Sequence, residues 1–125
     1  MRLLLDTNAL VWWFQGGREL SDIALQAIAD PTSQVMVSAA SVWEASIKRS
    51  KGRLRAPERL IDWIRNDGFT ELPVRFEHAD LAGTLPTHHA DPFDRILIAQ
   101  SQVEGLTIVT RDPAFAAYGV PLLTA

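Results

Sequence analysis

The sequence predicts an α/β protein, a three-layer α/β/α sandwich around a central, mainly parallel sheet of about five strands. Short apolar runs bounded by turn signals alternate along the chain with longer segments whose apolar residues recur at the helical period. Strands that alternate with helices pair in parallel through right-handed crossovers, which puts helices on both faces of the sheet. With 125 residues, 47% hydrophobic and 22% charged, the chain is expected to form a single domain over residues 1–125.

The first part of the chain is predicted to contain two strands joined by a helix. Residues 2–5 end in three consecutive leucines, and this pattern is typical of a strand buried on both faces. Ser21 is suited to cap a helix that Asp30-Pro31 ends, and a second strand is expected over Gln34–Ser38. Two strands with a helix between them form a parallel crossover.

Two more helices are predicted in the middle of the chain. Ala39 to about Ser50 repeats apolar residues at the helical period. In this helix, Val42, Trp43 and Ile47 are expected to face inward. Pro57 is expected to begin the next helix, because proline is favoured at the first helical position.

The last part of the chain is predicted to complete the sheet. Residues 70–74 are expected to form an edge strand because a proline falls inside the segment, and residues 76–85 a helix. Asp91 followed by Pro92 is a strong helix start, and this helix is expected to run to Gly105. The remaining strands are expected at residues 106–109 and 120–123.

The composition excludes several classes of protein. The absence of cysteine excludes a disulfide framework, a thiol nucleophile and a cysteine-bound zinc, and fits a reducing cytoplasm. No apolar run reaches the ~18 residues of a membrane span, so a cytoplasmic protein is expected. The net charge of −3 argues against bulk electrostatic binding of nucleic acid, although half of the 12 basic residues are clustered. The clustered residues are Lys48, Arg49, Lys51, Arg53, Arg55 and Arg59.

Acidic residues follow the predicted strands at the edge where open parallel sheets bind ligands. Asp6 follows the first strand, Glu44 lies within two turns of the second, and Asp112 follows the fourth. Asp94 joins them if its helix begins where predicted, which the sequence alone does not fix. Simpler explanations stay open, since an Asp often caps a helix and Glu44 can pair with Lys48 four residues later.

Four carboxylates at one edge would need a counter-charge. Each pair about 4 Å apart costs on the order of 4 kcal/mol at an effective dielectric constant of about 20. No lysine is expected beside these acids, so Mg²⁺ or Mn²⁺, which prefer oxygen ligands, is favoured. Such an ion suits hydrolysis of a phosphodiester because it activates a bound water. We expect His88 and His89 to be solvated loop residues, and Arg95 to face a phosphate or a carboxylate.

Four segments carry a family resemblance that spans nearly the whole chain. They are LLLDTNAL, SAASVWEASIK, HHADPFDRILIAQ and IVTRDPAFAAY. In this order they resemble the PIN-domain family, and in particular the VapC-type toxins of bacterial toxin–antitoxin pairs. The resemblance implies that the catalytic, metal-binding residues are Asp6, Glu44, Asp94 and Asp112. It further implies that Asn8 and Thr110 orient water or substrate.

The resemblance also implies an activity and partners. Toxins of this type are Mg²⁺- or Mn²⁺-dependent endoribonucleases that act on structured RNA such as transfer or ribosomal RNA. They are commonly homodimers, and a small antitoxin, VapB, inhibits them. Two other interpretations stay open: a receiver-like phosphoacceptor domain, and a non-catalytic α/β binding module whose acids are helix caps. A receiver-like domain needs a second acid beside Asp6, where this chain has Thr7.

Overall fold

The computed structural model of the chain describes residues 1–125. Its strands are β1 (Arg2–Leu5), β2 (Gln34–Ser38), β3 (Thr70–Leu72), β4 (Thr107–Thr110) and β5 (Leu122–Thr124). Its helices are α1 (Thr7–Phe14), α2 (Asp22–Ala29), α3 (Ala39–Ser50), α4 (Leu60–Asn66), α5 (Phe76–Thr84) and α6 (Pro92–Glu104), with a 3₁₀ helix at Pro113–Tyr118. The five strands form one sheet in the order β3-β2-β1-β4-β5, and every neighbouring pair is parallel.

The central strand β1 divides the hydrophobic core into two clusters. Leu3 and Leu5 pack with residues of α1, α2, α3 and α4 on one face of the sheet. Leu4 packs with residues of α5, α6 and the 3₁₀ helix on the other face. Successive side chains of a strand point to opposite faces, so three consecutive leucines are buried only if helices cover both. The predicted three-layer α/β/α class is confirmed.

Side-chain caps fix the starts of two helices where the sequence predicts them. The Ser21 hydroxyl accepts a hydrogen bond from the Ala24 N–H at 3.1 Å, and α2 begins at the next residue. The Asp91 carboxylate accepts from the Phe93 N–H at 2.8 Å, with proline at the first position of α6. At the other end of α6, Gly105 adopts a φ of 68°, a conformation that glycine tolerates best. The predicted bounds of β2 and α3 are also those of the structure.

The inward face of α3 differs from the prediction. Trp43 was expected to face inward, but it is 63% exposed. The residues that α3 buries are small or polar: Ala40, Ser41, Glu44 and Ala45. Because α3 lies close to both α1 and α6, small side chains fit its inner face better than an indole does. One residue along a helix is a rotation of about 100°, so burying Glu44 turns Trp43 away.

Two other element boundaries differ for local reasons. The helix expected from Pro57 begins only at Leu60, and the Pro57 carbonyl instead accepts a hydrogen bond from Arg49 Nη1 at 3.0 Å. Strand β3 ends at Leu72 and not at residue 74, because Pro73 has no N–H to continue the ladder. Strands β4 and β5 end one residue later than predicted. No helix combines the length and the apolar character that crossing a bilayer requires.

Candidate metal centre

The structure brings four acidic residues, which we call the acidic site, to the carboxyl edge of the sheet. They are Asp6, Glu44, Asp94 and Asp112. Three follow strands that are neighbours in the sheet, since β2, β1 and β4 lie side by side. The fourth, Asp94, is the third residue of α6. Glu44 is close enough to raise the pKa of both Asp6 and Asp94 by charge repulsion, so the carboxyl groups share one electrostatic environment.

Asp6 is the most buried Asp of the site, and its side chain is fixed. It caps α1, and its Oδ1 accepts a hydrogen bond from the Ala9 N–H at 2.8 Å. Burial raises the pKa of Asp6, and repulsion from Glu44 and Asp112 adds to the rise. The Thr110 hydroxyl and the Ala9 N–H lower the same pKa by hydrogen bonding, but they do not cancel the effect of burial.

Glu44 is buried and has a partner for each oxygen. The Thr7 hydroxyl donates to Oε1, and Lys48 Nζ lies 2.8 Å from Oε2. The expectation that no lysine lies beside the acids is therefore wrong. The lysine is four residues further along α3, and its hydrogen bond to Glu44 raises the Lys48 pKa. Lys48 remains 40% exposed, so it can leave Glu44 without breaking the core.

Asp94 is held by a histidine from the loop that precedes α6. His89 Nε2 lies 2.7 Å from Asp94 Oδ2. Burial raises the pKa of Asp94 to about 6; repulsion from Asp91 and Glu44 also raises it, while His89 lowers it. Burial therefore disfavours the ionised form of Asp94, and a further positive charge close to it would favour that form.

Asp112 and the two polar residues of the site differ in burial. Asp112 Oδ1 caps the 3₁₀ helix by accepting from the Ala114 N–H at 2.9 Å, and its side chain is 42% exposed. The Thr110 hydroxyl is buried and accepts from the Asp112 N–H at 3.1 Å. Asn8 is exposed on the first turn of α1, where its side chain is free to meet a ligand.

Comparison with known proteins identifies the family. A profile of the PIN domain family matches residues 3–121. The chain belongs to the PIN domain family. PIN domains are generally nucleases that use divalent metal ions. None of the curated proteins compared matches the chain significantly.

Solved structures with the same fold as this PIN domain include chains of toxin–antitoxin complexes. A chain of VapBC2 from Rickettsia felis, bound to a promoter DNA fragment, has a TM-score of 0.71 at 16% identity, covering 98% of each chain. A chain of a toxin–antitoxin complex from Klebsiella pneumoniae has a TM-score of 0.69 at 23% identity, covering 98% of this chain and 96% of that chain. A chain of DNA-bound VapBC from Salmonella typhimurium has a TM-score of 0.72 at 17% identity, covering 98% of this chain and 97% of that chain.

The contacts of Thr7 and His89 with the acids of this PIN domain were not predicted from the sequence, and that of Lys48 was predicted only as a simpler explanation of Glu44. Thr7 and Lys48 both bond Glu44, and only the spacing of Lys48 signalled its contact. His89 was expected to be solvated, yet its ring lies between two acids. Arg95 was expected to face a phosphate or a carboxylate, but it donates to backbone carbonyls instead. The five donors of a guanidinium suit the carbonyls left free where α5 ends.

The acidic site fits a divalent cation. Its donors are carboxylate oxygens, which Mg²⁺ and Mn²⁺ prefer. Burial and mutual repulsion raise the pKa values of Asp6 and Asp94, so a cation would favour the ionised form of both. Lys48 neutralises only one of the four acids directly. The acidic site therefore carries more carboxyl groups than its neighbouring bases neutralise, and a divalent ion would relieve their repulsion.

Removing the Asp94 charge should stabilise the metal-free protein. The native pKa of about 6 exceeds the unfolded value near 3.8, so between these values the native state binds more protons. The free energy of unfolding therefore falls as the pH rises through this window. We expect Asp94→Asn to raise the free energy of unfolding by about 1–3 kcal/mol at pH 7.5 and to change it little at pH 4. Chemical denaturation of both proteins in the presence of chelator, at pH 7.5 and at pH 4, measures this difference. An equal change in the free energy of unfolding at the two pH values would contradict the prediction.

Proposed function

We propose that this PIN domain is a metal-dependent endoribonuclease that hydrolyses RNA phosphodiester bonds, and that it is the VapC-type toxin of a VapBC-type pair. The observation that carries the proposal is the acidic site: its four acidic residues lie at the edge where parallel sheets bind ligands, and Glu44 is near enough to raise the pKa of Asp6 and Asp94. The PIN family match and the toxin–antitoxin complexes with the same fold support it.

In the proposed mechanism, the residues that would hold Mg²⁺ or Mn²⁺ are Asp6, Glu44, Asp94 and Asp112. The bound ion would supply an activated water and stabilise negative charge on the phosphate. Asp6 keeps one orientation because its carboxylate also caps α1. Thr110 and Asn8 would orient water or substrate, Thr110 from a fixed buried position and Asn8 from an exposed one.

Lys48 has a second use in this mechanism. It neutralises Glu44, which would also be a ligand of the cation. Its side chain is 40% exposed, so its ammonium lies at the rim of the site, where an RNA phosphate would accept a hydrogen bond from it. Exposed basic residues of the following loop, Lys51, Arg53 and Arg55, would continue this positive rim.

The proposal includes partners and a location. A VapB-type antitoxin would bind the protein and inhibit it, and the active form would be a homodimer in the cytoplasm. The complexes from Rickettsia felis and Salmonella typhimurium, both of the VapBC type, support the antitoxin as partner. We propose that residues 1–125 act as one domain, since the family match extends over residues 3–121.

Cleavage assays with the purified protein test the reaction. We expect RNA to be cut in Mn²⁺ or Mg²⁺, and the reaction to stop in EDTA and resume when the metal is restored. A DNA strand of the same sequence should survive, which separates a ribonuclease from a nuclease of broader specificity. Cleavage that persists in EDTA would contradict the metal-dependent mechanism, and cleavage of DNA at an equal rate would contradict the choice of RNA.

A non-catalytic binding module is the second candidate, and one observation favours it. Asp6, Asp91 and Asp112 each accept a backbone N–H at the start of a helix, so each has a structural role without any metal. Capping does not explain Glu44, which is buried in the second turn of α3. A protein that binds RNA but leaves it intact in both metals would favour this candidate.

A further inference from the structure

We propose that His89 is a nitrogen ligand of the divalent cation, and that it binds the ion together with Asp94 and Asp112. The inference rests on the proposed function, because it adds a ligand to the metal centre of that function. The proposed ligand set differs from one made only of oxygen donors, because one of its donors is an imidazole nitrogen.

The distances around His89 support the assignment. Its Nε2 lies 2.7 Å from Asp94 Oδ2 and 3.7 Å from Asp112 Oδ2. One ligand atom from each of these three residues lies within 4.8 Å of the other two. Ligands at about 2.1 Å from an octahedral ion are about 3 Å apart when adjacent and about 4.2 Å apart when opposite. The three side chains are therefore close enough to share one cation, which would take the place of the hydrogen between His89 and Asp94 after rotation of these side chains.

The loop of residues 85–90 holds His89 in place before any ion binds. The His89 N–H donates to the Tyr118 hydroxyl at 2.8 Å, and that hydroxyl donates to the Pro86 carbonyl at 2.8 Å. Arg95 Nη1 donates to the His89 carbonyl at 3.2 Å. The imidazole packs edge-on against Phe115, with ring centroids 6.1 Å apart. Ligands of metal sites are commonly fixed by such supporting contacts.

Charge compensation is the simpler explanation of the same contact. A histidine that only neutralised Asp94 would keep its hydrogen bond and would not need a second acid within reach. The position of Nε2 near Asp112 as well favours a shared ion, because one ring nitrogen carries at most one proton but a cation accepts several ligands.

A nitrogen ligand would affect which ion the site prefers. Magnesium binds oxygen donors almost exclusively, whereas Mn²⁺ and later transition ions also accept imidazole. The site should therefore bind Mn²⁺ more tightly than Mg²⁺, and His89 should contribute to that difference. The adjacent His88 offers a matched control, because it packs against Tyr118 at 5.2 Å and contacts no acid.

Pulsed electron paramagnetic resonance of the Mn²⁺-loaded full chain tests the coordination directly. We expect ¹⁴N modulation from an imidazole in the wild type, retained in His88→Gln and lost in His89→Gln. Calorimetry should show His89→Gln weakening Mn²⁺ binding by more than about 10-fold, since even groups that only support metal ligands contribute about 10- to 100-fold. The same substitution should change Mg²⁺ binding by less than about threefold.

The outcomes separate this inference from the proposed function. Mn²⁺ that binds the wild type without ¹⁴N modulation overturns the His89 assignment and leaves the metal centre standing. Modulation that survives in His89→Gln overturns it as well. A wild-type chain that binds neither Mn²⁺ nor Mg²⁺ overturns both the assignment and the proposed function. The wild-type spectrum decides the matter even if His89→Gln does not fold.

Discussion

Replacing Asp6 with Asn should abolish RNA cleavage and growth inhibition while the fold persists. Asn retains an oxygen that can accept the Ala9 N–H, and Asn caps helices as well as Asp does, so α1 should still form. The charge that would hold the cation is lost. Loss of groups that only support metal ligands costs about 10- to 100-fold, so loss of a ligand should lower the cleavage rate by more than about 100-fold.

The initial rate of RNA cleavage in Mn²⁺, growth after induced expression, and the far-ultraviolet circular dichroism spectrum measure this prediction. Asp30→Asn is the matched control, because Asp30 is an exposed carboxylate that follows α2 at the opposite edge of the sheet. We expect this control to cleave RNA at the wild-type rate. An Asp6→Asn protein with half or more of the wild-type rate would remove Asp6 from the mechanism.

Replacing Arg95 with Ala should destabilise the protein more than any exposed substitution. Its guanidinium donates five hydrogen bonds, to the carbonyls of Ala82, Leu85, Pro86 and His89. Hydrogen bonds from a charged donor contribute about 1.5–3 kcal/mol each and are not additive. We expect the free energy of unfolding to fall by about 3–5 kcal/mol. At this chain length the melting temperature should fall by roughly 10 °C or more.

Calorimetric melting of Arg95→Ala, with Arg65→Ala as control, checks this prediction. Arg65 is exposed on α4 and makes no side-chain hydrogen bond in the structure, so its removal should change stability little. Arg95→Lys should recover only part of the loss, because an ammonium cannot reach four carbonyls in a plane. A loss below about 1 kcal/mol in Arg95→Ala would mean that the 85–90 loop is held by other contacts.

The sheet could be predicted because its signals are local. Three leucines in a row at residues 3–5 indicate a strand covered on both faces, and such a strand lies inside a sheet. Asp91 and Pro92 fix the first turn of α6, which in turn fixes Asp94 as its third residue. Strand order was not predicted in detail, because pairing depends on which runs meet in space.

The parts of the site that the sequence did not predict depend on contacts across the fold. Glu44 is buried and Trp43 is exposed because of the limited space between α1, α3 and α6. The helical period of α3 gives no information about that space. The position of His89 depends on the hydrogen bonds of Arg95 and Tyr118 to the preceding loop. The spacing of Arg95 and Tyr118 from His89 along the chain does not predict these hydrogen bonds.

The pairing of β1 with β4 has a consequence for synthesis on the ribosome. The two strands are separated by most of the chain, since Leu3 pairs with Thr107. A nascent chain that has emerged only through α5 contains Asp6 and Glu44 but neither Asp94 nor Asp112. These two pairs of acids come to the same edge of the sheet only when β4 inserts beside β1. A growing polypeptide therefore lacks the assembled site until β4 has emerged from the ribosome.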